Sequence, residues 1–136
     1  VLISFTNYLD KNESIMKDIT DRKDIELMVN TFYTSVRQDT ILGPIFNGII
    51  QDNWTTHLDT MYRFWQTVLL HEFTYKGSPF APHRKLPIEE HHFDRWLYHF
   101  NTSMDKNFSG KIAKEAKWRA SKMTQIFMHK LSNNNL

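Results

Sequence analysis

The chain has 136 residues, long enough for one domain with a sizeable core, and no cysteine, which excludes disulfide frameworks, thiolate zinc sites, cysteine-held iron–sulfur clusters and thioether-linked cofactors. Its 17 Lys and Arg against 15 Asp and Glu give a net charge of +2 with no concentrated basic block, so nucleic acid is not an expected partner. No apolar run approaches the roughly 20 residues that span a bilayer, and the opening Val1-Leu2-Ile3-Ser4-Phe5 is too short for a signal core, so a cytoplasmic monomer without a membrane partner is expected.

Apolar residues recur at helical spacing four times, and no stretch alternates as a strand would, so an all-α fold is expected. Residues 1–136 are expected to form a single domain, with 1–20 as a leading segment and 132–136 as a fraying tail. The first stripe is Ile25, Met28, Val29, Phe32, Tyr33 and Val36, with Asp21 placed to cap it and Asp24 near the positive end of the helix dipole. It ends between Arg37 and Asp39. The run Leu42-Gly43-Pro44-Ile45-Phe46-Asn47-Gly48 predicts a non-helical connection, because Gly and Pro interrupt helix propagation. Trp54, His57, Met61, Phe64, Trp65, Val68 and Leu69 form the second stripe, with Asp52 or Asn53 in position to cap it.

After Leu70 the pattern dissolves into an irregular segment that leads to Phe80-Ala81-Pro82-His83-Arg84-Lys85-Leu86-Pro87. Pro87 is placed to launch a third helix carrying Phe93, Trp96, Leu97, Phe100 and Met104. The fourth carries Ile112, Ala116, Ala120, Met123, Ile126 or Phe127, and Leu131.

Four residues in this pattern are able to bind or donate: Tyr33, His57, Trp96 and the loop-borne His83. Taken singly, each of the first three is an ordinary core side chain. His83 differs, since a single imidazole between aromatic-rich helical segments suits axial binding to a flat, apolar, iron-containing cofactor, and 14% aromatic residues suit the sandwiching of such a group.

The order of motifs narrows the choice. Phe32-Tyr33, Val36-Arg37-Gln38-Asp39, Leu42-Gly43-Pro44-Ile45-Phe46, Trp54 with His57-Leu58-Asp59-Thr60-Met61 and Phe64-Trp65, then Tyr75-Lys76-Gly77-Ser78-Pro79, His83-Arg84-Lys85-Leu86-Pro87-Ile88 and His92-Phe93-Asp94-Arg95-Trp96-Leu97 resemble a truncated haemoglobin, in particular the third subgroup (group III) of that family. The likeness covers about residues 24–100, and the absence of any Gly-Gly pair fits that subgroup. It implies a two-over-two helical sandwich around haem b, iron protoporphyrin IX. It also implies roles. His83 matches the proximal iron ligand; Tyr33, His57, Met61 and Trp96 match distal ligand-binding positions; Phe32, Phe46, Phe64, Trp65, Ile88 and Phe93 match the haem pocket.

The expected ligands are dioxygen, nitric oxide and carbon monoxide, with a reductase as a further partner. A Tyr hydroxyl and a Trp N–H both donate, and each bond to a charged oxygen ligand, worth about 1.5–3 kcal/mol, slows escape by about 10- to 100-fold. Two such donors favour oxygen, nitric oxide or peroxide chemistry over rapid transport. His57 is either a third donor, a gate, or an outward-facing side chain. Arg84, Lys85 and Arg95 are near enough in the chain to reach a haem propionate. Two other classes remain open from the residues alone. Glu89 and His92 make one Glu-x-x-His pair of a helical non-haem metalloprotein, which needs a second. Lys111, Lys114, Lys117, Arg119 and Lys122 would serve a helical interaction module.

Overall fold

Residues 16–77 and 88–134 are described by the computed structural model of the chain. Among them the architecture is all helical: α1 is Arg22–Gln38, α2 Leu42–Ile50, α3 Trp54–Leu70, α4 Glu90–Asn107 and α5 Lys111–Asn134, with a short 3-10 turn at Gln51–Asn53. Pro87 lies outside the described residues, so the expected launch of α4 from it stands apart from this description.

The six apolar residues of the first stripe all bury on α1, and the Asp21 carboxylate accepts the Asp24 N–H at 3.0 Å, capping the start of the helix as the sequence predicts. The connection predicted after it is instead the helix α2. Pro44 falls in the first turn, where an N–H would have no helical partner, so its missing donor costs nothing. Gly43 is needed for proximity and not as a breaker: a Cβ there would sit 2.6 Å from the Arg37 carbonyl oxygen. The Asp39 carboxylate then accepts the N–H groups of Ile41 and Leu42, both at 2.8 Å, and holds the start of α2 against the end of α1.

Asn53 occupies the N-cap position of α3 but makes no side-chain cap bond, because the 3-10 turn leads directly into the helix. α3 stops at His71, whose φ of 59° places it in the left-handed region. The N-terminus of α5 is capped from far away in sequence. Asp18 accepts the N–H groups of Ile112 and Ala113 at 2.9 Å, and Gly110, at φ 133°, lets it approach, since a Cβ there would lie 2.6 Å from its carboxyl carbon. Of the pair Ile126 and Phe127, Phe127 turns inward while Ile126 stays exposed. α5 continues into the stretch expected to fray.

α1 packs on α3, α4 packs on α5, and the two pairs meet where α1 crosses α4. This is a two-over-two sandwich whose core lies between the pairs. No described helix is long and apolar enough to cross a membrane.

Candidate functional site

The layer between the helix pairs is built from aromatic rings. Trp96 of α4 stacks on Phe100 with centroids 5.6 Å apart and planes 10° from parallel, and Phe100 stacks on Trp65 of α3 at 5.2 Å. Phe32 of α1 meets Tyr33 and Trp96 edge-on at 4.9 and 5.0 Å. Phe64 turns its edge to Trp65 and Tyr75. Such offset and edge contacts are favourable ring geometries, so the lattice is stiff as well as apolar.

A cavity with about 760 Å³ of atom-free space, mouth included, opens against this lattice. Its walls include Phe32, Tyr33, Phe46, Met61, Phe64, Trp65, Ile88, Phe93 and Trp96, so every pocket residue expected from the sequence in the described segments lines it except His57. Five apolar neighbours, Val29, Leu42, Phe100, Met123 and Phe127, complete the walls together with His92 and Thr124. The apolar, aromatic walls suit a flat, apolar ligand.

Two donors stand out against that lining. Tyr33 is buried, and burial alone pushes its phenol above the usual range, so the hydroxyl stays protonated and able to donate. Among the described residues, neither that hydroxyl nor the Trp96 indole N–H is engaged by another side chain or backbone group. His57 lies beside Tyr33 without lining the cavity. Its ring meets Tyr33 at 5.1 Å and Trp54 at 5.7 Å, both nearly perpendicular, and its Nε2 is shielded from solvent. His57 therefore turns its Nε2 away from solvent, beside Tyr33 and off the cavity lining. His83, the expected iron ligand, lies outside the described residues.

A family profile for bacterial-like globins matches residues 14–130. The chain belongs to the bacterial-like globins, as a truncated haemoglobin of the third subgroup. A curated relative, the group 3 truncated hemoglobin ctb of Campylobacter jejuni, is 30% identical over 115 residues, covering 82% of this chain and 91% of the relative. The crystal structure of a group III truncated hemoglobin from Campylobacter jejuni superposes with a TM-score of 0.78 at 30% identity, covering 85% of this chain and 95% of that one. Globin membership implies a haem cofactor, and the cavity suits one in its apolar aromatic lining and in its pair of donors without partners among the described residues.

The most heavily bonded polar side chain of this globin was not among the expected site residues. Asp39, just past α1, is 2% exposed at its side chain and takes the Arg95 Nε at 2.6 and 2.7 Å and the His99 Nε2 at 2.6 Å, besides the Ile41 and Leu42 amides. Burial alone would raise its pKa, but the Arg95 guanidinium, the Leu42 N–H, His99 and the Ile41 N–H outweigh it and hold the carboxyl well below the usual carboxylate range. Arg95 and His99 flank Trp96 on α4, so this hub fixes the helix that presents the indole. It also commits the Arg95 Nε to Asp39. An Asp followed within a few residues by Leu-Gly-Pro is a readable capping signal, but partners 56 and 60 residues away are not.

Among the described residues the parts of the competing classes do not come together. Among the described residues no three His or carboxylate side chains converge as a metal site. On α5, Lys117 pairs with Asp105, Arg119 with Glu115, and Lys122 lies over the Trp118 ring, the contacts of an ordinary solvated face.

Proposed function

We propose that this globin binds haem b through His83 and holds dioxygen, and also nitric oxide and carbon monoxide, tightly at the distal side with Tyr33 and Trp96 as hydrogen-bond donors. The observation that carries this is a pair of donors, without partners among the described residues, on the wall of a largely apolar aromatic cavity. Both residues rest on the same ring, Phe32, so both donors are anchored to one rigid element. Haem supplies the iron that takes a diatomic ligand and shifts electron density onto it.

The chain supplies the rest. Tyr33 and Trp96 donate to the ligand oxygen as it becomes negative, in a site where little water competes. His57 packs its ring nearly at right angles against Tyr33. Met61 and Phe46 keep the cavity apolar around the donors. Two donors oppose rapid release, which suits oxygen, nitric oxide or peroxide chemistry supported by a reductase better than delivery. Proximal ligation by His83 is favoured because, among the described residues, the histidine that lines the cavity, His92, has its Nδ1 lone pair taken by the Glu89 N–H at 2.9 Å. Membership of the truncated hemoglobins supports a haem cofactor for this chain.

The test is an absorption spectrum of the purified protein with haem, oxidised, reduced and reduced under carbon monoxide, for the parent and His83→Ala. A stable complex with a histidine-ligated carbon monoxide spectrum in the parent, lost in His83→Ala, is the expected result. A parent that retains no haem overturns the proposal.

A further inference from the structure

His92 is a polar residue on the wall of an apolar cavity, one helical turn before Trp96 on α4. Its Nδ1 accepts the Glu89 N–H at 2.9 Å, the N3-to-N-cap half of a capping box. An acceptor nitrogen carries no hydrogen, so the neutral ring has its proton on Nε2 and can only donate there. One face of the ring lies against His91, with centroids 3.9 Å apart. Burial, and next the neighbouring His91, hold the His92 pKa below the ordinary histidine value, so the neutral donor form prevails at neutral pH.

Ile88, Phe93 and Phe127, which cluster with one another, line the same cavity and offer it only apolar surface. A porphyrin ring has no use for a donor at such a place, but its two propionates do, since each is an anion that needs hydrogen bonds wherever it leaves bulk water. Arg95, the nearest cation along α4, has its Nε committed to Asp39. His92 is only half-buried and stands in the first turn of α4, where the helix end also favours a negative charge.

We infer that His92 is a propionate anchor, its Nε2–H donating to one haem carboxylate while its Nδ1 caps α4. The inference rests on the haem assignment above. It makes the start of α4 part of the haem-retention machinery, and it couples helix capping to cofactor binding through one imidazole.

The two jobs separate in a pair of variants. Glutamine and glutamate at this N3 position both keep an acceptor for the Glu89 N–H, but only glutamine keeps a donor for a carboxylate. Haem loss to an excess of apomyoglobin is measured for the parent, His92→Gln and His92→Glu, each loaded with iron protoporphyrin IX and with its dimethyl ester, whose propionates are capped. The expected result is loss about tenfold faster from His92→Glu than from the parent, as for one bond to a charged partner, with His92→Gln near the parent. Esterification is expected to speed loss from the parent and to have little such effect in His92→Glu. Equal rates for the glutamine and glutamate variants, or an equal ester effect in parent and His92→Glu, overturn the anchor. If the parent takes up neither porphyrin, the haem assignment fails instead.

Discussion

Replacing Asp39 by asparagine removes one charge from the junction of α1, α2 and α4 while leaving the shape of the side chain intact. The amide oxygen can still accept the Ile41 and Leu42 N–H groups, but the amide nitrogen then faces Arg95 Nε and His99 Nε2, which approach the carboxylate to 2.6 Å. Each hydrogen bond to a charged group is worth about 1.5–3 kcal/mol. Arg95, 41% exposed at its side chain, recovers part of its share from water, while the Asp39 site itself is 2% exposed and does not. The net cost is about 3 kcal/mol, or a fall of about 10 °C in melting temperature for a chain of this size. Because Asp39 is held below the ordinary carboxylate range in the fold, its contribution is fully present above that range and is lost as the pH falls through about 4 and lower. Thermal unfolding followed by far-ultraviolet circular dichroism therefore separates parent and Asp39→Asn widely at about pH 7, and less as the pH falls toward about 3. A difference that stays constant over this range, or a variant that melts with the parent at neutral pH, refutes the hub.

Tyr33→Phe and Trp96→Phe each release dioxygen about 10- to 100-fold faster than the parent in stopped-flow mixing of the oxygenated protein with a scavenger, and an unchanged rate removes that residue as a donor. Within α2 the two glycines diverge: Gly43→Ala drives a Cβ into the Arg37 carbonyl and costs about 1–3 kcal/mol, whereas Gly48→Ala meets nothing within 4 Å and stabilises by about 0.5–1 kcal/mol. Equal melting temperatures for these two variants count against both placements. Asp18→Ala strips the Ile112 and Ala113 amides of their acceptor, costs about 1–2 kcal/mol, and speeds hydrogen exchange at those two amides ahead of the rest of α5.

What the sequence disclosed and what it withheld follow from the range of the interactions concerned. The stripes of α1, α3, α4 and α5 are periodic within one helix, so Phe32, Tyr33, Phe64, Trp65, Phe93 and Trp96 could be placed on inward faces before any packing was known. Helix α2 was misread because Gly43 and Pro44 break a helix only in its interior; in the first turn Pro44 is harmless, and whether that turn exists depends on the Asp39 carboxylate reaching forward to cap it. The same carboxylate binds Arg95 and His99, and Asp18 caps a helix more than ninety residues on, contacts that no local pattern encodes. His92 lies between these cases. Its place three residues after Glu89 is a local capping signal, yet its exposure to the cavity depends on α4 lying across α1 and alongside α5. In this globin the apolar walls are written locally, while the polar groups that orient the helices bearing the two donors come together only when the helix pairs close. Substitutions at Asp39 are therefore expected to alter ligand release through Trp96 as well as stability, whereas Asp18→Ala, acting at the far end of α5, is expected to alter stability alone.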